Sequence, residues 1–392
     1  MPTKRHKLHP RMGRYLTCSI PGEKYKAYVP SFLPFTPPLD LTELQPLIEK
    51  ANQALGRLDG RLLHMPDISL LLYFYVRKEA LLSSQIEGTQ SSFDDLLMYE
   101  NDQVPGVPEG DVEEVSHYVA ALQHGMNRLQ DGFPLSLRLI KEMHAILLRG
   151  GRGARKQPGE FRQSQNWIGG TRPGNAAFVP PPADQLMELL GNLEFYLNDE
   201  LGKYPTLVKA AISHVQFETV HPFLDGNGRM GRLLITLLLW HEGVLSQPAL
   251  YLSLYLKRNR ATYYELLSRM RMDGAYEVWF EFFLQGVLEI AGETTESLQQ
   301  IITLFEKDKA KIGKLKRARP TALRVYEHFQ RRGMATILQL SEALEISQPT
   351  ATAAVQHLIA LHIVSESSGK KRDRIFSYDA YLKILRTDTE PL

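Results

Sequence analysis

The chain has 392 residues, of which 43% are apolar, and a formal net charge of +2. This length exceeds one ordinary hydrophobic core and predicts two or three packed domains. The near-neutral charge excludes a global attraction to nucleic acid or membrane, so any such affinity must come from a local patch. A single cysteine, Cys18, excludes an intramolecular disulfide and a cysteine-based zinc site. No apolar run has the length of a membrane span, so we expect a soluble protein of the cytoplasm.

The first forty residues are rich in proline and glycine, which predicts an extended segment lying over a helical body. Helical periodicity begins at Leu41 and predicts a helix over 41–60 with a glycine stop. The stretch "MPDISLLLYFYVRKEALLSSQIEG", residues 65–88, predicts a helix of about twenty residues. It is apolar nearly all round, which indicates burial between other helices.

Further helical patterns follow a loop at 101–111 and continue to about residue 300, with one interruption. Residues 158–182 mix glycines, prolines and aromatics. Within them "NWIGG" and "AAFVPP" are short strand-like pieces. They predict the two arms of a β-hairpin flap at 166–182.

The last part of the chain changes in character after a basic stretch at 306–319, which is interpreted as a solvated helix or linker. Three short helical patterns and two strand-like runs around a Gly-Lys-Lys-Arg turn predict a winged helix-turn-helix at 315–392. Its recognition helix, "SQPTATAAVQHLIAL", carries no lysine or arginine that could reach bases or phosphates. DNA binding and protein binding by this domain therefore both stay open.

The stretch "HPFLDGNGRMGR", residues 221–232, concentrates polar chemistry in one turn and the start of one helix. Pro222 stops the preceding helix, and Gly226 and Gly228 supply backbone positions for φ > 0 and close approach to a ligand. The first amides of a helix beginning near Asn227 have no intrahelical partners and form an anion site. These features predict a binding site for nucleotide phosphates.

The charged side chains of the same stretch fit that interpretation. Arg229 and Arg232 lie three residues apart at a helix N-terminus, where cations oppose the helix dipole and call for an anionic partner. Asp225 can hold Mg²⁺ or act as a simple helix N-cap. His221 is the group here that can take a proton near neutral pH. A phosphate site beside a base indicates phosphoryl or nucleotidyl transfer.

The whole stretch resembles the signature of the Fic family, His-x-Phe-x-Asp/Glu-Gly-Asn-Gly-Arg-x-x-Arg, at every specified position. "PGEFR", the flap, "HVQFETVHPF" and "RATYYELLSRMR" are also similar to landmarks of that family. The resemblance implies a mainly helical fold with a β-hairpin flap, and transfer of AMP from ATP to a Ser, Thr or Tyr hydroxyl of a target protein. A subgroup that phosphorylates its target departs from the Gly-Asn-Gly core, which this chain keeps.

The resemblance implies a role for each residue of the stretch. His221 would be the general base and Asp225 the Mg²⁺ ligand, while Phe223 would anchor the loop from below. The flap would hold the target segment by strand pairing. The residues implied in ATP and phosphate binding are Phe223, Leu224, Asp225, Gly226, Asn227, Gly228, Arg229, Arg232 and, beside the adenine, Tyr263.

A second stretch, "SSQIEGTQ" at 83–90, places Glu87 at a helix C-terminus, where a negative charge again opposes the dipole. Glu87 and Arg232 would therefore satisfy each other. The stretch resembles the inhibitory motif of the same family at Ser83, Glu87 and Gly88. That resemblance implies that Glu87 bonds Arg232 and prevents ATP from binding in its productive pose.

The sequence thus predicts an autoinhibited adenylyltransferase with an N-terminal helical region at 1–130, a Fic domain at 131–300 and a winged helix. The inhibitory helix is expected at about 66–88. Alternatives are removal of AMP from a modified protein, a Fic-bodied regulator that binds DNA, and another donor such as UTP. Self-modification and a homodimer are further expectations from the family. His214 is expected to be structural because nothing nearby completes a metal site.

Overall fold

The computed structural model describes residues 11–63, 68–101, 107–150, 153–199, 204–274, 276–369 and 373–391. It is mainly helical with small antiparallel sheets, which confirms the predicted fold class. The strands are β1 (Arg14–Ile20), β2 (Glu23–Val29), β3 (Met334–Thr336), β4 (Ser365–Glu366) and β5 (Ile375–Ser377). The helices are α1 (Gln45–Leu63), α2 (Ile68–Ile86), α3 (Phe93–Glu100), α4 (Glu109–Gln130), α5 (Leu137–Leu147), α6 (Leu186–Asn198), α7 (Thr206–Val220), α8 (Asn227–His241), α9 (Ser253–Arg258), α10 (Arg260–Asp273), α11 (Tyr276–Ile312), α12 (Arg319–Arg332), α13 (Ile337–Leu344), α14 (Gln348–Ala360) and α15 (Asp379–Arg386).

Two helices, α7 and α8, lie at the centre of the helical body. Almost every side chain of both is buried, including those on faces that a surface helix would expose. Helix α4 packs on α8, α5 and α2, and α1 packs along the long helix α11. One continuous apolar core links these elements. The turn between α7 and α8 is therefore held between rigid, buried elements, which suits a site that needs fixed geometry.

The sequence predicted an extended N-terminal segment, but the structure shows a β-hairpin there. Strands β1 and β2 form an antiparallel hairpin that pairs Arg14 with Val29, with Gly22 in the turn at φ +81°. The prolines of the segment do not interrupt a strand, because Pro21 falls in the turn and Pro30 follows β2. Residues 1–10 of the predicted segment lie outside the described residues.

The two N-terminal helices differ from their predicted ends. Helix α1 passes through Gly60 to Leu63, because Leu58 and Leu62 pack into the core and outweigh the weak helix propensity of one glycine. Helix α2 ends at Ile86, so Glu87 and Gly88 form the turn that follows it, with Gly88 at φ +98°. The predicted start of this helix, 65–67, and part of the predicted loop, 102–106, lie outside the described residues.

The flap is smaller than the predicted hairpin. Its two arms meet in one isolated antiparallel bridge, in which Ile168 and Phe178 exchange backbone hydrogen bonds of 2.8 and 3.1 Å. A short 3₁₀ turn, Pro173–Asn175, lies between the arms. The Tyr28 amide of β2 donates to the Val179 carbonyl at 2.9 Å, so the N-terminal hairpin covers the outer side of the second arm.

The C-terminal elements have the order helix, strand, helix, helix, strand, strand, followed by the last helix α15, and their sheet has the strand order β3-β5-β4. This is the element order expected for a winged helix, and three residues of the predicted basic turn, 370–372, lie outside the described residues. The domain packs on α2 through a T-shaped contact between Phe74 and Tyr381. Within the part of the chain that the structure describes, no helix has both the length and the apolarity that a bilayer crossing requires.

Candidate active site

His221 occupies a constrained position directly after α7. It caps the helix in the left-handed region, at φ 48° and ψ 61°, and its amide donates to the Phe217 carbonyl. Such a conformation is uncommon for a residue with a side chain and persists when the surroundings hold it. Here Arg162 Nε and Asn166 Nδ2 both donate to the His221 carbonyl, at 2.9 and 3.3 Å. The histidine backbone is therefore fixed from the flap side.

The loop that follows rests on a buried histidine that the sequence analysis did not single out. The ring of His144 on α5 stacks on Phe223 with centroids 3.5 Å apart and planes 4° from parallel. His144 Nδ1 accepts a hydrogen bond of 2.9 Å from the Gly159 amide. The other ring nitrogen, Nε2, therefore carries the hydrogen and donates to the Asp225 carbonyl at 3.0 Å. Burial lowers the pKa of His144 to about 4, so it is neutral at physiological pH and anchors the loop through hydrogen bonds.

Replacing His144 by alanine should change how the stability of the protein depends on pH. Its folded pKa of about 4 lies below the ordinary value of 6.5, so between these values the unfolded chain binds the additional proton. Lowering the pH from about 7.5 to about 5.5 should therefore cost about 1 kcal/mol of folding free energy through this side chain alone.

Denaturant unfolding at the two pH values measures this effect. His144→Ala should be less stable than wild type at both values and should lose less stability on acidification. His357→Ala, at an exposed position on α14, is the control and should leave the pH dependence as in wild type. An equal loss of stability on acidification in wild type and His144→Ala would contradict the buried, neutral state of His144.

The N-terminus of α8 forms the floor of a cleft of about 270 Å³. Gly226 is the N-cap, at φ 75°, and the side chain of Asn227 ties the turn together by bonding both the amide and the carbonyl of Phe223. The first amides of α8 have no intrahelical acceptor and lie at this floor. The cleft is lined by Glu87, Glu114, His221, Leu224, Asp225, Gly226, Asn227, Gly228 and Arg229.

Two predicted details of this turn are wrong. Gly228 lies inside α8 with an ordinary helical conformation and does not supply a positive φ. Its missing side chain matters for another reason, because a Cβ there would lie 2.2 Å from Glu87 Oε1. Asp225 does not cap the helix. Its Oδ1 accepts the neighbouring Gly226 amide at 2.6 Å, and Gly226 takes the N-cap position.

The two arginines of α8 reach different carboxylates. Arg229 Nη1 donates to Glu114 Oε2 of α4 at 3.1 Å, with both side chains about 5% exposed or less. Arg229 Nε has no hydrogen-bond partner among the described residues, although it is buried. Arg229 lines the cleft while its guanidinium is anchored to α4. Its partner Glu114 carries no sequence signal, because it lies 115 residues away on a helix with no motif.

Arg232 is held by the last turn of α2 and the residue after it. Its Nε donates to Ser83 Oγ at 2.9 Å, and Nη2 donates to the Ser83 carbonyl at 3.0 Å and to Glu87 Oε1 at 2.6 Å. The Arg232 side chain is 1% exposed, whereas that of Glu87 is 36% exposed. The structure thus brings together Glu87 and Arg232, as the sequence predicted, and adds Ser83 as a second partner of Arg232; Glu87 lines the cleft.

Glu87 also occupies the anion site of α8. Its Oε1 lies against Gly228, the second residue of the helix, where the dipole and the unpaired amides favour negative charge. Desolvation of the carboxylate raises the pKa of Glu87, but the charge and hydrogen bond of Arg232 together with the nearby Arg229 charge hold the pKa below its ordinary value. The carboxylate is therefore ionised at neutral pH and takes a position that suits a phosphate group.

Three residues from the sequence analysis do not contact the cleft with their side chains. Phe223 is fully buried under the loop, as expected for an anchor. Tyr263 is 1% exposed, and its hydroxyl lies 2.9 Å from Nε2 of His214, so it belongs to the core and does not border an adenine. Its neighbour Tyr264 is 42% exposed. His214 is buried in the same aromatic cluster as Trp279, in agreement with a structural role.

The carboxylates of the cleft do not form a metal site by themselves. No group of three or more His, Cys, Asp or Glu side chains in the described part of the chain is arranged around a common metal position. Asp225 presents one carboxylate at the cleft floor. Mg²⁺ fits this arrangement when phosphate oxygens and water supply its other ligands, as is common for nucleotide sites.

The residues that form this site match two known family models. Residues 134–239 match the Fic/DOC family, and residues 45–127 match the Fic/DOC family N-terminal domain. The chain carries a Fic domain. The boundary between the two domains runs through the site, because the Fic domain supplies His221 and both arginines, and the Fic N-terminal domain supplies the carboxylates Glu87 and Glu114.

Relatives and a solved structure agree with this assignment. The protein adenylyltransferase Fic of Drosophila willistoni is 28% identical over 209 residues, which are 52% of this chain and 39% of that protein. The one from Drosophila grimshawi is 34% identical over 134 residues, which are 34% of this chain and 25% of that protein. The chain thus spans less than half the length of these relatives. A Fic family protein from Desulfovibrio desulfuricans G20 shares the fold, with a TM-score of 0.54 and 20% identity over 85% of this chain and 96% of that one.

Proposed function

We propose that this protein transfers AMP from ATP to a hydroxyl group of a target protein. The observation that carries the proposal is the cleft itself, in which a base and the amide-rich N-terminus of α8 face one ligand-sized space with Arg229. The match to the Fic family and the names of the relatives support the same reaction. The single cysteine suits a reducing compartment such as the cytoplasm.

His221 would act as the general base. Its Nδ1 lies 3.3 Å from the Glu218 carbonyl, and donation to this carbonyl fixes the tautomer that leaves Nε2 free to accept a proton. Burial, followed by the nearby Arg271 guanidinium, lowers the pKa of His221 to about 4. The imidazole is therefore neutral at physiological pH and ready to accept the proton of the attacking hydroxyl.

The α8 N-terminus and its arginines would hold the triphosphate. The amides of Gly226, Asn227 and Gly228 would stabilise the charge on the α-phosphate, and Arg229 and Arg232 would bind the outer phosphates. Asp225 would hold Mg²⁺, which neutralises phosphate charge when bound. The hydroxyl oxygen bonds to the α-phosphorus, and pyrophosphate leaves.

The flap would present the target segment at the first arm, residues 166–170. The second arm is covered by β2 through the bond between Tyr28 and Val179. The first arm lies on the other side, and Trp167 and Ile168 are 39% and 37% exposed. Strand pairing to this arm would place a Ser, Thr or Tyr hydroxyl through backbone hydrogen bonds, without demanding one sequence.

We further propose that Glu87 inhibits the reaction in the resting protein. Its carboxylate covers Arg232 and fills the anion site above Gly228, so an outer phosphate and Glu87 compete for the same donors. ATP that binds without displacing Glu87 would be held with its phosphates out of register for attack.

Intact-mass measurement of the Glu87→Gly protein tests the reaction and its donor together. The protein is incubated with Mg²⁺ and each nucleoside triphosphate in turn, alone and with a cell extract as target. Addition of one AMP group per modified chain with ATP is expected, on the protein itself or on an extract protein. Addition of a phosphate, addition of another nucleotide, or no addition with any donor would overturn the proposal.

A further inference from the structure

Glu218 is a buried carboxylate beside His221 to which the proposed reaction gives no role. It lies in the last turn of α7, is 6% exposed, and its Oε2 is 3.9 Å from His221 Nδ1. Its Oε1 has no hydrogen-bond partner among the described residues. A Cβ at position 231 would lie 2.8 Å from that oxygen, so Gly231 of α8 leaves the space that the carboxylate occupies.

Hydrogen bonding within the fold does not explain why this position carries a carboxylate. Buried polar groups are normally hydrogen-bonded, because an unpaired one keeps its full cost of desolvation. Burial raises the pKa of Glu218 to about 7, although the Arg232 guanidinium opposes the shift. A glutamine or an apolar side chain would fill the same space at a smaller electrostatic cost. Buried carboxylates with a raised pKa are common at functional sites.

The charges around His221 indicate what the carboxylate can do. Arg271 and Arg162 both lower the pKa of His221, which keeps the base neutral but opposes the imidazolium that forms when it accepts a proton. The carboxylate of Glu87 counters them in the resting protein. In the proposed reaction, however, an outer phosphate replaces Glu87. Among the residues that the structure describes, Glu218 is then the carboxylate that stays next to the His221 ring.

We propose that Glu218 is a positioning residue that acts through His221 and stabilises its imidazolium during transfer. The inference rests on the proposed function. The hydroxyl proton moves to His221 Nε2, the hydroxyl oxygen bonds to the α-phosphorus, and the bond from that phosphorus to pyrophosphate breaks. A shift of about 1 Å brings the carboxylate within hydrogen-bond distance of Nδ1–H, which it would then share with the Glu218 backbone carbonyl. Glu218 keeps its charge throughout and takes no proton.

This role gives transfer a pH dependence near neutrality. Glu218 must be ionised, so activity should rise with pH as this carboxyl loses its proton. Burial raises its pKa to about 7 in the resting protein, where the Glu87 charge adds to the shift, so the rise in Glu87→Gly should lie at or below that pH. The other groups that face this pair are Glu87, Arg162, His214, Arg232, Tyr263, Tyr264 and Arg271. Of these, burial lowers the pKa of His214 to about 3, the pKa of Glu87 lies below its ordinary value, and the arginines and both tyrosines titrate well above neutrality. None of them changes charge between pH 6 and 8 as Glu218 does.

Glu79 is the matched control for this titration. It is a second buried glutamate whose pKa burial raises to about 7, and the Arg232 charge also affects it. Its carboxylate accepts hydrogen bonds from the Ser253 amide and hydroxyl, so both of its oxygens already have partners. Both glutamates are therefore changed to glutamine in the Glu87→Gly protein, and kcat and KM for ATP are measured between about pH 6 and 8.

Glu218→Gln should lower kcat about tenfold at pH 8, leave KM for ATP within about twofold, and flatten the rise with pH. Glu218→Asp should retain the rise at a lower rate, because it retains a carboxylate. Glu79→Gln should retain both the rate and the rise. An unchanged rise in Glu218→Gln, or a flat profile in Glu79→Gln, would overturn the inference.

A measurement without turnover separates this inference from the proposed function. In protein labelled with ¹³C- and ¹⁵N-histidine, the His221 ring signals, assigned with His221→Ala, should shift near pH 7 as Glu218 ionises. The shift should be absent in Glu218→Gln. A protein that shows the shift but transfers no nucleotide would contradict the proposed reaction and leave the coupling standing. Transfer by Glu87→Gly with the same shift in wild type and Glu218→Gln would contradict the coupling alone.

Discussion

Glu87→Gly should raise the rate of AMP transfer on the order of a hundredfold over wild type at subsaturating ATP. In the resting protein Arg232 has three acceptors, the hydroxyl and carbonyl of Ser83 and the carboxylate of Glu87. The substitution removes the charged one. It also empties the anion site above Gly228, so an outer phosphate gains both the amides and the guanidinium without displacing a carboxylate.

The same substitution should make the stability of the protein depend on ATP. The substitution removes the carboxylate that contacts the buried Arg232 guanidinium, so the melting temperature of Glu87→Gly should fall below that of wild type in the absence of nucleotide. ATP supplies the missing negative charge, and saturating Mg-ATP should raise the melting temperature more in the variant than in wild type. Initial rates and thermal unfolding, both with and without ATP, measure the two effects.

Glu100→Gly is the matched control for this variant. Like Glu87, Glu100 pairs with an arginine. Its partner is Arg77 of α2, at 2.7 Å, and both side chains are about 15% exposed or less. It lies on α3 and does not line the cleft. Glu100→Gly should lower stability while transfer stays at the resting rate. Equal activation by both variants would mean that any loosening of α2 suffices and that Glu87 does not compete with phosphate.

The predictable part of this site is local in sequence. Pro222 ends α7, Gly226 turns the chain, and the spacing of Arg229 and Arg232 follows from one helix, so a short stretch carries most of the information. The contact between Glu87 and Arg232 spans 145 residues and was still predictable, because both charges oppose a helix dipole and need a partner. For Glu87 and for Arg232 the signal was a charge at the end of a helix where the helix dipole disfavours it.

The unpredicted parts depend on packing between distant elements. His144 lies in an ordinary amphipathic helix, and nothing in its own segment shows that its ring supports Phe223 or bonds the Asp225 carbonyl, 81 residues away. Glu114 likewise looks like one of several acidic residues at the start of α4. The family resemblance implied that Tyr263 borders the ligand, but its burial against His214 depends on how α10 packs against α7. A sequence pattern does not determine whether such a side chain faces the cleft or the core.

His221→Ala, made in the Glu87→Gly protein, should lower kcat by a factor on the order of a thousand. The imidazole is the group in the cleft that is neutral at physiological pH and has a free nitrogen for the hydroxyl proton. The α8 amides and the arginines remain in the variant, so binding of ATP should stay within about twofold of the parent. Single-turnover rates and nucleotide titration separate the two quantities.

His241→Ala, at the exposed far end of the same helix, controls for a general effect on α8 and should retain the parent rate. Rescue of His221→Ala by added imidazole would place the defect in proton transfer, since the small base can enter the space that the side chain leaves. Full transfer by His221→Ala would show that the arginines and amides alone support the chemistry. The cleft would then position the phosphates without supplying a base, and the effect of Glu218, which acts through this ring, would disappear with it.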